Sequence, residues 1–488
     1  MAGWENSNEE IYVERVEEIV DTNPDLYKQR TIVALNEKRY MDALAEAELS
    51  LRYGNNELQY QVLKTRVLYE ANRFSDCLRY ILTSDVWKKR ESAELLDDEY
   101  NFIYVAFAES FHACGGNPNQ LDFVIVTPSG EGVYSSIQDA IKQKKPSQKI
   151  FLTTGVYYEN LIINNDVEIT SSVRCKPEIK ADYAAFCVNN GTLKMSNLAI
   201  NMDLQMSVVD CEDDSEKGTA LTVRRKGRAE IENIQFKVNG FFADGMPLPV
   251  FDLSCESNLV EKRIYNVSGA IAVEGGYCLA KNIHVSNAGI GVLVTSRGNI
   301  EIVQSVMEKL PVGIMPIDGI CKVKDSEIQT ELYGIMNIGD EGGKSDVTCE
   351  KVIFKGAYVG VCSGRNDSKI RLERCTVQKN KLGCIICAGK CDLINTKILS
   401  NKHCNLLATS VAEVFARNTT FAGSQGYGIQ VDNNAICELE ACEIKDNLTK
   451  AIYKDGNGKV YMDSKTKELN NDIAGWIIGG IGRFFESL

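Results

Sequence analysis

Gly428-Ile-Gln-Val-Asp-Asn-Asn-Ala-Ile-Cys-Glu-Leu-Glu-Ala-Cys-Glu-Ile-Lys-Asp-Asn-Leu-Thr-Lys-Ala451-Ile452 is the stretch on which the fold turns. It opens with a small residue followed by an apolar one and runs through a polar turn. Cys437–Cys442 then alternates as a strand, Lys445–Asn447 makes an Asn-containing turn, and the small–apolar pair returns at Ala451-Ile452. The same pair stands at Ala270-Ile271, Gly291-Val292, Gly313-Ile314, Gly334-Ile335, Gly360-Val361, Gly383-Cys384 and Asn405-Leu406, in steps of 21 to 26 residues. Short alternating stretches rich in Val, Ile, Gly and Asn read as strands rather than helices. A period of this length with about three strands per repeat is what a right-handed parallel β-helix requires, each circuit stacking on the last at strand spacing. A leucine-rich repeat is excluded because its leucine frame is missing, and a propeller blade needs about twice the period.

Upstream coils are legible at Lys149–Ser171, Lys180–Asn201 and Thr219–Gly240. Two coils fit between Leu221 and Ile271, with an apolar excursion at Phe241–Phe251, which makes about a dozen coils and a rod of ~55–60 Å at ~4.8 Å per coil. Open ends of such a rod are exposed sheet edges that need covering. Ser135–Lys144 reads as an amphipathic cap helix at the first end, and Ile473–Phe485 as a cap at the second.

The N-terminal part is different. Glu37–Leu44 recurs as Ala71–Leu78, 34 residues on, each copy with an aromatic (Tyr40, Phe74) and small residues on one helical face. This resembles the tetratricopeptide repeat, a helical hairpin, although the family's proline at the repeat end is missing. The expected organisation is an α-helical, TPR-like domain at 1–118, a linker and cap helix at 119–148, the β-helix at 149–466 and an amphipathic cap at 467–488.

Composition narrows the function classes. The chain has 488 residues, 44% hydrophobic and 25% charged, with a net charge of −13. Residues 1–120 hold 22 acids and 13 bases, so the acidity is concentrated there, and neither part has the basic footprint of a nucleic-acid binder. No apolar run reaches the ~18 residues of a membrane span, and the acidic first twenty residues lack a signal core. Seventeen scattered cysteines read as reduced thiols, so the expected location is cytoplasmic, with cytoskeletal association a further expectation.

Gly132–Ile141 followed by Ile150–Asn160 resembles the opening of pectin methylesterases and the wider pectin-lyase-like superfamily. The resemblance implies the first coil's construction, and it implies paired carboxylates if the chain is an enzyme. The esterase and polygalacturonase motifs have no counterpart in the chain. Asp213-Asp214 is the sole acidic pair of that look and sits in a charged loop. Ile338–Ser345 imitates a phosphate loop without its first glycine. Cys384, Cys387 and Cys391 with His403 and Cys404 offer zinc-ligand types, but their alternation along strands places them as small inward hydrophobes. The expectation is a chain that is not an enzyme, with no catalytic residue, no cofactor and no metal.

Binding features carry more weight. Arg224, Arg225, Lys226 and Arg228 form a basic turn suited to an acidic peptide or phosphate. Phe241, Phe242 and Phe251 mark the apolar excursion. Trp476, Ile481, Phe484 and Phe485 mark an apolar helical face at the C-terminal end, which caps the rod or meets a partner or a membrane. A groove on the acidic helical repeats favours a basic protein segment.

Leu221–Asn233 looks like a coil of the Shc-binding protein/Nessun dorma group, which is associated with centralspindlin and cytokinesis. That resemblance implies a non-enzymatic scaffold whose helices and rod each bind protein partners. Two alternatives stand beside it: a divergent carbohydrate-active β-helix enzyme or lectin, and a substrate adaptor of the ubiquitin system, which the missing F-box pattern disfavours.

Overall fold

The computed structural model describes residues 22–90, 97–116, 136–171, 177–182, 184–204, 218–240, 269–337 and 344–472, besides 121, 123–128 and 134. The chain divides into two compact units, 1–116 and 117–488. No described helix is long and apolar enough to cross a membrane.

The first unit contains α1 (Pro24–Asn36), α2 (Tyr40–Tyr53), α3 (Leu58–Glu70), α4 (Phe74–Thr83) and α5 (Asp97–Ala113). Asn23 caps α1 by accepting from Asp25 N at 3.0 Å, with Pro24 pre-set in the first turn. The 34-residue echo has a geometric cause. Lys38 and Asn72 each take the left-handed conformation between paired helices, and Arg39 and Arg73 each reach the aspartate three residues on, Asp42 and Asp76. Ala43, Ala47, Val67, Cys77 and Ile81 fill the helical core with no exposed surface.

The second unit is mainly β, a right-handed parallel β-solenoid of about twelve turns. Three parallel ladders run its length. Sheet A stacks from Phe123–Val126 through Lys149–Leu152 to Lys459–Met462, sheet B from Val156–Tyr158 to Lys467–Leu469, and sheet C from Leu161–Ile163 to Ile452–Lys454. Inward rows of Val, Ile, Leu, Phe and Cys form one continuous core, because period-2 alternation sends every second side chain inside.

The corners explain the polar punctuation of the sequence. Between sheets A and B one residue per coil is left-handed: Asn197, Asn233, Asn282, Gln304, Asp325, Lys351, Arg374, Asn395, Asn418 and Ala441. Half of these are asparagine, which tolerates that region best among non-glycines. Between sheets B and C, buried Asn380, Asn401, Asn405 and Asn447 pass amide hydrogen bonds from coil to coil, ending on Asn471 at 2.8 Å. The small residue that opens each sheet-C strand has a steric reason. A Cβ on Gly313, Gly334 or Gly360 would sit 2.4–2.7 Å from the carbonyl oxygen of the next coil.

One expectation needs correction. Leu221, Thr222 and Val223 pair directly with Ile271, Ala272 and Val273, so a single coil, not two, separates them. The extra length is an insertion, residues 241–268, between sheet B and sheet C of that coil.

The first end of the rod is closed by α6 (Ile137–Gln143). Glu159 from the first coil accepts from Ile137 N at 2.7 Å and Gln138 N at 2.9 Å, which places a carboxylate at the positive end of the helix. Ile137 and Ala140 are fully buried on the core.

Candidate functional site

The basic turn lies at a corner between sheets C and A, and its charges are dispersed. Arg224 reaches Asn189 at 3.2 Å and Glu274 at 4.0 Å. Arg228 bonds Glu230 at 2.9 Å and lies over the Tyr277 ring, 4.4 Å from its centroid. Arg225 and Lys226 are exposed. Phe241, Phe242, Phe251, Trp476, Ile481, Phe484 and Phe485 lie outside the described residues, as do Asp213-Asp214 and most of the phosphate-loop imitation. Cys384 and Cys391 point into the core, and burial raises both thiols above their ordinary value.

The three outer faces differ. Sheet A carries rows of alternating charge, with ion pairs joining successive coils at Lys149–Glu168, Lys194–Glu230, Lys369–Asp392, Lys390–Glu413 and Arg417–Glu440. Such a face neutralises itself. Sheet B mixes polar and apolar positions, with one His284–Glu308 contact at 3.2 Å. On sheet C the outer rows are apolar and buried. One runs Ile290, Val312, Tyr333, Val359, Leu382 and Cys404, and the other Met315, Met336, Cys362, Ile385 and Leu407.

Those two rows change character at their last coils. The first continues to Tyr427, and the second continues to Gln430 and then Tyr453. The two tyrosine rings stack, with centroids 4.7 Å apart and planes 16° from parallel, and both are half-buried. Gln430 donates to Asp432 Oδ2 at 2.8 Å. Asp432 Oδ1 is buried with no hydrogen-bond partner among the described residues. Burial raises the Asp432 carboxyl above its usual value; the Gln430 bond opposes this, and the charge of Asp455 adds to it. Asp455 occupies the position equivalent to Asp432 one coil on, following the Val431–Lys454 pair. Lys450 and Lys454 line a cavity of about 440 Å³ with Ile452, Tyr453, Val460, Met462 and Glu468.

This corner combines aromatic faces, amide and ammonium donors, and a carboxyl that burial raises above its usual value. The sequence reading missed it. Tyr427 and Tyr453 are 26 residues apart, Asp432 reads as a turn residue, and only coil register makes them neighbours. Among the described residues no group of three or more His, Cys, Asp or Glu could hold a metal ion.

Fold and ladders define the class, a parallel β-helix. No family model matches the chain, and no curated protein matches it. Among solved structures it is similar to two variants of the periplasmic alginate epimerase AlgG. Identities are 13% and 14% and the TM-score is 0.40 for each, over 72% of this chain and 82% of theirs. It is also similar to the GH136 lacto-N-biosidase from Eubacterium ramulus, at 10% identity and a TM-score of 0.29, over 88% of this chain and 76% of that one. The printed names of these neighbours are those of enzymes, so the expectation of a chain that is not an enzyme is withdrawn as a correction. At this identity the likeness itself shows the shared fold, so the chemistry has to come from the chain's own residues. The tetratricopeptide, cytoskeletal and cytoplasmic expectations find no support in these comparisons. The coil phrase behind the Shc-binding resemblance, Leu221–Asn233, has Leu221, Val223, Ala229 and Ile231 in the core, and the comparisons leave that resemblance unconfirmed.

Proposed function

We propose that the chain is a carbohydrate-active β-helix protein that takes a saccharide across Tyr427 and Tyr453, with Asp432 as the acid beside it. The observation that carries this reading is the stacked, half-open tyrosine pair on strands that run on to the half-buried Asp432 and its equivalent Asp455, at the point where sheet C stops being an apolar buried face. The C–H faces of a sugar ring pack on aromatic faces, while a few placed polar groups fix the hydroxyls. Gln430, Lys450 and Lys454 supply the polar groups. Burial raises the Asp432 carboxyl above its usual value, the direction that suits a general acid. Asp432 and Asp455 follow the paired Val431 and Lys454 on successive coils, and they are the two carboxyls offered for glycosidic-bond chemistry.

The test is a panel of neutral and acidic oligosaccharides, scored for binding and for turnover by the full chain. Tyr453→Ala is expected to weaken binding by about tenfold or more, and Asp432→Asn to abolish turnover while leaving binding near its original strength. Binding without turnover removes the acid role. Absence of both from the unaltered chain overturns the reading.

A further inference from the structure

Two Asn-Gly pairs stand at corners between sheets C and A, Asn190-Gly191 and Asn457-Gly458, and both asparagines are exposed. They are held differently. Gly191 is left-handed and sits between two coils. A Cβ there would lie 2.6 Å from the Asn165 carbonyl carbon on one side, and Asn190 and Gly191 pair in register with Lys226 and Gly227 on the other. Thr192 N adds a bond to Asp166 Oδ1 at 2.8 Å. The second pair closes Asp455-Gly456-Asn457-Gly458, the corner of the last coil. It meets the coil before it through Asn457 Nδ2, which donates to Asn434 Oδ1 at 3.4 Å, and Lys459 N, which donates to Ala435 O at 2.9 Å. Among the described residues no strand of sheet A follows Lys459–Met462. Gly458 N donates within its own turn, to Asp455 O at 3.2 Å. A Cβ on Gly458 would lie 2.4 Å from Val431 O, so coil stacking keeps a glycine beside Asn457.

We propose that Asn457 is a self-modification site, at which the folded chain deamidates through a cyclic imide. The backbone nitrogen of Gly458 loses its proton and attacks the side-chain carbonyl carbon of Asn457, Cγ. A new C–N bond forms, the bond from Cγ to Nδ2 breaks, and Nδ2 leaves as ammonia with a proton. Water then opens the imide. Opening at the side-chain carbonyl restores the main chain and leaves aspartate. Opening at the main-chain carbonyl leaves isoaspartate, whose backbone runs through the side chain and is longer by a carbon. Nothing is oxidised or reduced. Glycine at 458 suits the step, because no Cβ hinders the nitrogen and the backbone turns freely to bring it to Cγ. Either product adds a negative charge next to Lys454 and Asp455. Isoaspartate also lengthens the chain just ahead of Lys459, where the last strand of sheet A starts pairing with Ile436.

Incubation of the full chain in mildly alkaline buffer, followed by brief tryptic digestion and mass spectrometry, tests this. Peptide 455–459 is expected to gain the mass of an amide-to-acid change about tenfold faster than Asn190 does in peptide 181–194, since a corner held by a single described coil opens more often than one held by two. Chromatography is expected to resolve the product into aspartate and isoaspartate forms. In urea the two rates are expected to converge, which assigns the native difference to the corners. Asn457→Gln is expected to remove the gain from 455–459 and to leave 181–194 unchanged. Equal rates in the folded chain, or a faster Asn190, overturn the proposal. A difference that persists in urea overturns it as well, and so does a gain in 455–459 that survives Asn457→Gln.

Discussion

Sheets A and C wind through the same coils with the same inward grammar, yet their outer faces have opposite chemistry. Sheet A turns lysine, arginine and carboxylate rows to water and pairs them from coil to coil. Sheet C turns Ile290, Val312, Tyr333, Val359 and Leu382 outward, and all five are 2% exposed or less. The difference teaches where the molecule can meet a ligand. A self-paired charged face has little left to offer, and a buried apolar face offers nothing until its rows end in Tyr427, Gln430 and Tyr453.

The most severe way to break that contrast is to place one charge on each face. Val359→Asp on sheet C is expected to cost about 3–5 kcal/mol by stranding a carboxylate in a dry apolar layer. Thr348→Asp on sheet A, in the row between Lys322 and Arg371, is expected to change stability by about 0.5 kcal/mol or less. Urea unfolding of both variants checks this, and equal costs refute the contrast. Met336→Ala removes volume from the sheet-C layer without adding charge, with an expected loss of about 2–4 kcal/mol in the same assay.

Asn401→Ala cuts the amide relay at the edge of sheet C. It leaves the buried Asn380 and Asn405 groups short of partners, for about 1–3 kcal/mol. Arg417→Gln removes one sheet-A ion pair whose partners are about half exposed. The expected loss is about 1 kcal/mol or less, fading as salt is raised.

The smallest effect concerns pH. The folded carboxyl of Asp432 titrates above its unfolded value of 3.8, with burial the leading cause. Its contribution to stability is therefore fully present below pH 3.8 and is lost as pH rises through the higher folded value. Asp432→Asn is expected to flatten that decline, with a small rise in Tm near neutral pH and none at the acid end, as thermal melts across pH would show.

Much of the rod was legible because its steric demands repeat. Each coil must bring its backbone within van der Waals reach of the next, so Gly291, Gly313, Gly334 and Gly360 print the period directly into the sequence. The cap helix was legible for a similar reason, since Ser136 and the apolar spacing of Ile137 and Ala140 are local signals. The coil count between Leu221 and Ile271 was misread because an insertion of 28 residues has the length of another coil. The outer character of sheet C and the Tyr427–Asp432–Tyr453 corner were not legible at all. Sequence alternation says which residues face out, but neither which outward row is buried nor which residues two circuits of chain bring together.

The most direct measurement of the proposed saccharide surface is hydrogen exchange on the full chain, with and without the oligosaccharide it binds best. The expected result is slowed exchange in peptides covering 427–432 and 449–455, with sheet-A peptides such as 369–373 and 413–417 unchanged. Protection confined to sheet A or to the helical unit would contradict it.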